Sequence, residues 1–126
     1  KSIQKIQFFT CHPEVRLRLM TEIPQMFPNI YTSSSLPDNL EINQTRANKG
    51  EALLALAAHL GVPAEQTVAF GDGTNDLTMI KMAGLGIAME NAVPDLKDVA
   101  DRVTASCDED GVAKGIELYC LNKIDE

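Results

Sequence analysis

The chain has 126 residues, 44% of them apolar, and its 11 basic and 18 acidic residues leave a net charge of −7. That length suits one compact domain and leaves little room for a second complete one. The longest apolar run, residues 52–58, falls far short of the roughly 18–20 residues that a membrane span needs. The acidic balance opposes general nucleic-acid binding and admits a small anionic ligand only where something local neutralises it.

Residues 1–10 read as a strand, because residues 3–8 come close to alternation and β-branched or aromatic side chains dominate. Pro13 suits the first turn of a helix, with Val15, Leu17, Leu19, Met20 and Ile23 as its apolar positions up to about residue 27. Pro24 is expected to kink or end that helix. Residues 29–34 and 39–43 read as short strands around a turn at Leu36-Pro37-Asp38. Asn48 can cap a helix over residues 49–60, which sets Leu53, Leu56, Ala57 and Leu60 on one face and stops at Gly61. Strand 67–70, helix 76–83, strand 86–89, helix 94–99, strand 102–104 and helix 112–121 complete the chain.

This order divides in two. Residues 1–44 give strand, helix, strand, strand, an α+β pattern, whereas residues 45–126 alternate strand and helix through short loops, which predicts a parallel sheet with flanking helices. Charge follows the same division: residues 1–44 carry four basic and four acidic groups, leaving 7 basic and 14 acidic for residues 45–126. The three cysteines, Cys11, Cys107 and Cys120, show no C-x-x-C spacing, and the N-terminus lacks a basic, apolar leader. A cytoplasmic setting with buried structural thiols is therefore expected. The first residue is Lys1 rather than an initiator Met, so a fragment of a longer polypeptide is expected.

Ligands of open parallel sheets gather outside the carboxyl ends of the strands. The loop to inspect is Gly71-Asp72-Gly73-Thr74-Asn75-Asp76, which leaves the apolar strand Val68-Ala69-Phe70 and opens a helix. Its glycines permit a sharp turn and close approach to a ligand, Asn75 or Asp76 can cap the helix, and the first N–H groups favour an anion. Asp72 would project a carboxylate into the same crevice, an arrangement that makes sense if Mg2+ bridges carboxylate and anion. The plainer alternative is an ordinary turn with two capping residues. Lys49 lies at a helix start, where the macrodipole disfavours a cation unless it has another task, such as neutralising a phosphate. Taken alone, such a lysine is usually a solvated surface residue.

Together these residues carry a resemblance. Asn48-Lys49-Gly50, then Phe70 to Ile80 with its G-D-G-T-N-D core, then Ala83-Gly84-Leu85-Gly86-Ile87-Ala88-Met89 and Asn91-Ala92 resemble the C-terminal half of Cof-type phosphatases of the haloacid-dehalogenase-like hydrolase superfamily. Ala100-Asp101-Arg102-Val103-Thr104 and Glu109-Asp110-Gly111-Val112-Ala113 fit the family's tail. The resemblance implies an α/β fold in which residues 45–126 form the C-terminal half of a Rossmann-like core. Residues 1–44, more loosely, are similar to the end of the α/β cap domain inserted into such cores. It implies Mg2+ as cofactor with Asp72 as metal ligand, Lys49 and Asn75 as holders of the substrate phosphoryl group, and Asp76 as an orienting residue for Lys49 or the loop. The implied substrate is a small phosphorylated metabolite such as a sugar phosphate, with no nucleic-acid or membrane partner.

The family's reaction runs through an aspartyl-phosphate formed on a D-x-D-G-T motif after the first core strand. No such motif precedes the cap-like segment here. Asp108-Glu109-Asp110-Gly111 spells D-x-D-G, but it follows a weak polar strand and ends in Val112, so a solvated acidic loop at the start of the last helix is expected. Ser33, Ser34 and Ser35 are expected to be loop residues rather than the family's second-motif hydroxyl. His12, beside Pro13, and His59, near a helix end, are read as structural. The chain alone is thus expected to be inactive, and an unpaired sheet edge invites homodimerisation. Two alternatives remain: a non-catalytic binding module with this fold, and the phosphorylation domain of a cation-pumping ATPase, whose related loop reads G-D-G-x-N-D.

Overall fold

A computed structural model describes residues 5–121, and the part of the first predicted strand at residues 1–4 lies outside them. The chain divides into two compact units, Lys1–Asn48 and Lys49–Glu126.

In the first unit, β1 (Ile6–Phe9), β2 (Ile30–Ser33) and β3 (Asn39–Gln44) form an antiparallel sheet in the order β1-β3-β2. The register pairs Ile6 with Ile42 and Phe8 with Leu40, while Thr32 lies opposite Ile42. Because strand side chains alternate, these residues share one face, and Leu40 on it is fully buried. Helix α1 (Pro13–Met26) packs on this sheet, and Thr32 Oγ1 donates to the Met20 carbonyl at 2.8 Å. Pro24 does not end α1, which continues for two residues to Met26 and closes with the Phe27 N–H donating to the Ile23 carbonyl. The opposite face is polar and buried: Ser33, Asn39, Glu41 and Asn43 are each less than 10% exposed. Ser33 is therefore the last residue of β2, not a loop residue.

Burial of these polar groups is tolerated because they bond to one another. The Asn39 Oδ1 accepts from the N–H groups of Ser35 and Leu36 at 3.0 Å, and Glu41 accepts from Ser35 Oγ and Lys5 Nζ at 2.8 Å. The Lys5 ammonium bond holds the Glu41 carboxyl below its ordinary range, with burial opposing and the Ser35 and Asn39 bonds assisting.

In the second unit, α2 (Lys49–His59), β4 (Val68–Gly71), α3 (Leu77–Met82), β5 (Leu85–Ala88), α4 (Pro94–Val99), β6 (Arg102–Val103) and α5 (Gly111–Ile116) follow in order, and a π-helical turn, Glu117–Leu121, extends α5. The sheet is parallel in the order β4-β5-β6, with Gly71 beside Ala88 and Ala88 beside Val103. That register brings the carboxyl ends of all three strands to one edge, so the loops after them gather there. The core beneath contains Ala69, Ile80, Ala88, Met89, Ala92 and Leu96, with Leu53, Phe70 and Leu77 packed against it. No helix is long and apolar enough to cross a membrane among the described residues.

The thiols differ from expectation. Cys11 and Cys107 are exposed and Cys120 is partly buried, because Cys11 precedes α1 and Cys107 opens the single-turn segment Cys107–Glu109 rather than facing the core.

Candidate active site

Strand β4 ends at Gly71, and the chain then makes a turn of 3-10 helix, Thr74–Asp76, before α3. A Cβ on Gly71 would lie 2.6 Å from the Asp76 Cβ, so only a residue without a side chain lets Asp76 tuck behind the strand end. Asp76 does not cap α3 with its side chain. It reaches backward instead: its Oδ2 accepts from the N–H groups of Asp72 at 3.1 Å and Gly73 at 3.2 Å, and its Oδ1 meets Lys49 Nζ at 2.5 Å. Asp76 is 5% exposed, whereas the Lys49 side chain is half exposed, so the pair presents its cation outward.

Lys49 reaches Asp76 because α2 packs closely on α3. The Gly50 N–H donates to Thr78 Oγ1 at 3.2 Å, and a Cβ on Gly50 would lie 2.6 Å from both the Thr78 carbonyl oxygen and the Met82 sulfur. Asn48, just ahead, donates from its amide to the Thr45 carbonyl.

The Asp72 side chain is exposed at the strand end. Its carbonyl accepts from the Val93 N–H at 2.9 Å, and its Oδ2 lies 3.4 Å from the Asn91 amide nitrogen. Asn75 is partly buried with its Oδ1 close to Gly73, and among the described residues it makes no hydrogen bond to Lys49, Asp72 or Asp76. The structure thus ties Lys49, Asp72 and Asp76 into one constellation and leaves the Asn75 carboxamide beside it.

Asn91 carries no role in the sequence reading, although its dipeptide with Ala92 contributes to the resemblance. Its position beside Asp72 follows from the β4-β5 register, which local sequence does not reveal. His12 stands before α1 with Glu14 3.4 Å away, and His59 ends α2. Neither histidine belongs to the constellation. Asp108 and Glu109 lie in the short turn before α5, and Asp110 follows in the left-handed region at φ 57°; all three are exposed.

Among the described residues no group of three or more His, Cys, Asp or Glu side chains converges on a point. The available donors do suit a hard cation, since they are oxygens without a thiolate or imidazole, and Mg2+ takes only one or two carboxylates plus phosphate and water. Asp72 offers such a carboxylate, because its Oδ1 accepts no hydrogen bond among the described residues. Asp76 is committed to two N–H groups and an ammonium.

A parallel sheet with helices packed on it, a carboxylate at a strand end and a lysine anchored to the same loop define an α/β core with one polar constellation at the carboxyl ends of its strands. Residues 1–116 match the model of the haloacid dehalogenase-like hydrolases, and the chain belongs to that family. Among its relatives is the putative phosphatase YxeH of Bacillus subtilis, 40% identical over 96% of this chain and 45% of that protein. Another is the 5-amino-6-(5-phospho-D-ribitylamino)uracil phosphatase YcsE of the same bacterium, 41% identical over 86% of this chain and 43% of that protein. A solved haloacid dehalogenase-like hydrolase from B. subtilis superposes with a TM-score of 0.86 at 36% identity, covering 92% of this chain and 40% of that one. The chain spans less than half the length of these relatives.

Proposed function

We propose that this chain is the C-terminal portion of a Mg2+-dependent phosphatase that hydrolyses small phosphorylated metabolites, such as sugar phosphates, through an aspartyl-phosphate. The observation that carries the reading is the single buried carboxylate of Asp76, which holds both Lys49 and the backbone of the Asp72 loop. Under this proposal, that shared anchor keeps a cation for the phosphoryl group near the loop that carries a carboxylate for the metal. In this reading Asp72 is a metal ligand, Lys49 and Asn75 hold the phosphoryl oxygens, and Asp76 positions Lys49. Mg2+ bound there would stabilise charge on the transferring group. The named activity of YcsE, on a phosphorylated ribitylamino compound, agrees with a small polyol phosphate as substrate.

The nucleophile and its acid/base neighbour are assigned to a D-x-D-G-T motif outside these 126 residues. The nucleophilic carboxylate attacks phosphorus, the ester oxygen leaves with a proton from the acid, and water then releases inorganic phosphate. The test uses p-nitrophenyl phosphate. The 126-residue chain should give no Mg2+-dependent hydrolysis. A longer polypeptide supplying the motif should turn over, and Lys49→Ala should lower its kcat on the order of 100-fold or more. Hydrolysis by the 126-residue chain, abolished by Asp72→Ala, would overturn the assignment and return attention to Asp108 and Asp110. Exposed Cys11 and Cys107 suit the reducing cytoplasm proposed here. The outer edge of β4, unpaired among the described residues, is a route to homodimers, and a strict monomer in concentrated sedimentation runs would exclude it.

A further inference from the structure

We infer that Asn91 is a positioning residue for the Asp72 carboxylate, an assignment that rests on Asp72 being the metal ligand proposed above. A carboxylate at an exposed strand end rotates broadly about its last torsion, and a ligand that must meet a rigid coordination shell gains from being held. Asn91 is placed to hold it. The loop after β5 is fastened on both sides of Asn91: the Met89 N–H donates to the Gly71 carbonyl at 2.9 Å and the Val93 N–H to the Asp72 carbonyl at 2.9 Å. The Glu90 N–H also donates to the Ala105 carbonyl at 3.3 Å, fixing the same loop to the segment after β6.

The Asn91 side chain then spans the two outer loops. Its Oδ1 accepts from the Cys107 N–H at 2.9 Å, and its Nδ2 points to Asp72 Oδ2 at 3.4 Å. A backbone N–H can only donate, so it must face the amide oxygen. The orientation of the carboxamide is thereby decided, and its donor is turned to the carboxylate. Asp72 Oδ2 is engaged and Oδ1 is left for an ion. An asparagine serving only to tie loops would need the Cys107 contact alone; the aimed donor is the additional feature.

The experiment titrates Mn2+, an EPR-visible substitute for Mg2+, into the 126-residue chain as wild type, Asp72→Asn, Asn91→Leu and the double variant. Asn91→Leu should weaken binding roughly tenfold, and the double variant should bind no worse than Asp72→Asn, because Asn91 acts through the Asp72 carboxylate. Wild-type affinity in Asn91→Leu, or its full loss repeated on the Asp72→Asn background, would overturn the inference and leave Asn91 a loop tie. Equal binding by wild type and Asp72→Asn would instead remove Asp72 as ligand, and with it this role. If Asn91→Leu does not fold, Asn91→Ala, which also removes the donor and adds no bulk, carries the same comparison.

Discussion

Placing one methyl group on Gly50 should disturb both the stability of the second unit and the setting of Lys49. A Cβ there would lie 2.6 Å from Met82 Sδ, 2.6 Å from the Thr78 carbonyl oxygen and 2.8 Å from its carbon. The sulfur can rotate away, but the Thr78 carbonyl is backbone. Ordinary contact needs about 3.5 Å, so α2 must retreat by roughly 0.9 Å at that point. Such overpacking costs about 1–3 kcal/mol, while alanine's better helix propensity returns about 0.5–1 kcal/mol. Gly50→Ala should therefore lose about 1–2 kcal/mol and lower the melting temperature by roughly 5–10 °C. The Gly50 N–H bond to Thr78 Oγ1 stretches with the same movement, and Lys49 must extend to keep Asp76. Thermal unfolding followed by circular dichroism reads the effect. A Gly50→Ala chain melting at or above wild type would refute the reasoning, since bare backbone contact would not then set the α2-α3 spacing.

Asp76→Ala removes the acceptor for two backbone N–H groups and Lys49 and should cost about 2–4 kcal/mol in urea unfolding; a loss near zero would mean the loop is held by other contacts. Glu41 titrates below its unfolded value, so its contribution is present above the ordinary glutamate pKa of about 4.3 and is lost as pH falls through the folded value. Stability should accordingly drop from pH 6 toward pH 3 more steeply in wild type than in Glu41→Gln, and identical slopes in paired denaturation series would contradict the Lys5 bond as its cause. Asp110 holds φ 57° without a side-chain capping bond, so Asp110→Gly should be neutral or stabilising by up to about 1 kcal/mol, whereas Asp110→Val should destabilise; calorimetry compares them.

Legibility in the sequence tracked how local each determinant is. Gly71-Asp72-Gly73 and Asp76 could be read directly because turn chemistry and short reach decide where they sit, and the alternation of strands and helices after residue 45 specified the parallel sheet. Read locally, Asp76 was a candidate helix cap, since a cap and a strand-end anchor use the same residue type; its turn back toward Lys49 and the loop was implied only through the family resemblance. Asn91 escaped because its neighbours Asp72 and Cys107 are 19 and 16 residues away and meet it only through strand register. In β3, Asn39, Glu41 and Asn43 alternate with apolar residues, a pattern that does not separate a solvated face from a buried one; the side chains and N–H groups of Ser33 to Leu36 satisfy that face and allow its burial. The cysteines were misjudged because average burial of a residue type says nothing about a particular loop.

The contact between Lys49 and Asp76 also has a thermodynamic consequence. With Asp72, the constellation sums to one negative charge, so a phosphate dianion approaching the protein alone would find no net attraction there. A divalent ion on Asp72 reverses the sign. Under the proposed assignment, cation and phosphate therefore assist each other's binding, and linkage requires the assistance to be equal in both directions. In the proposed function, the buried carboxylate that restrains the lysine makes phosphate capture conditional on the metal.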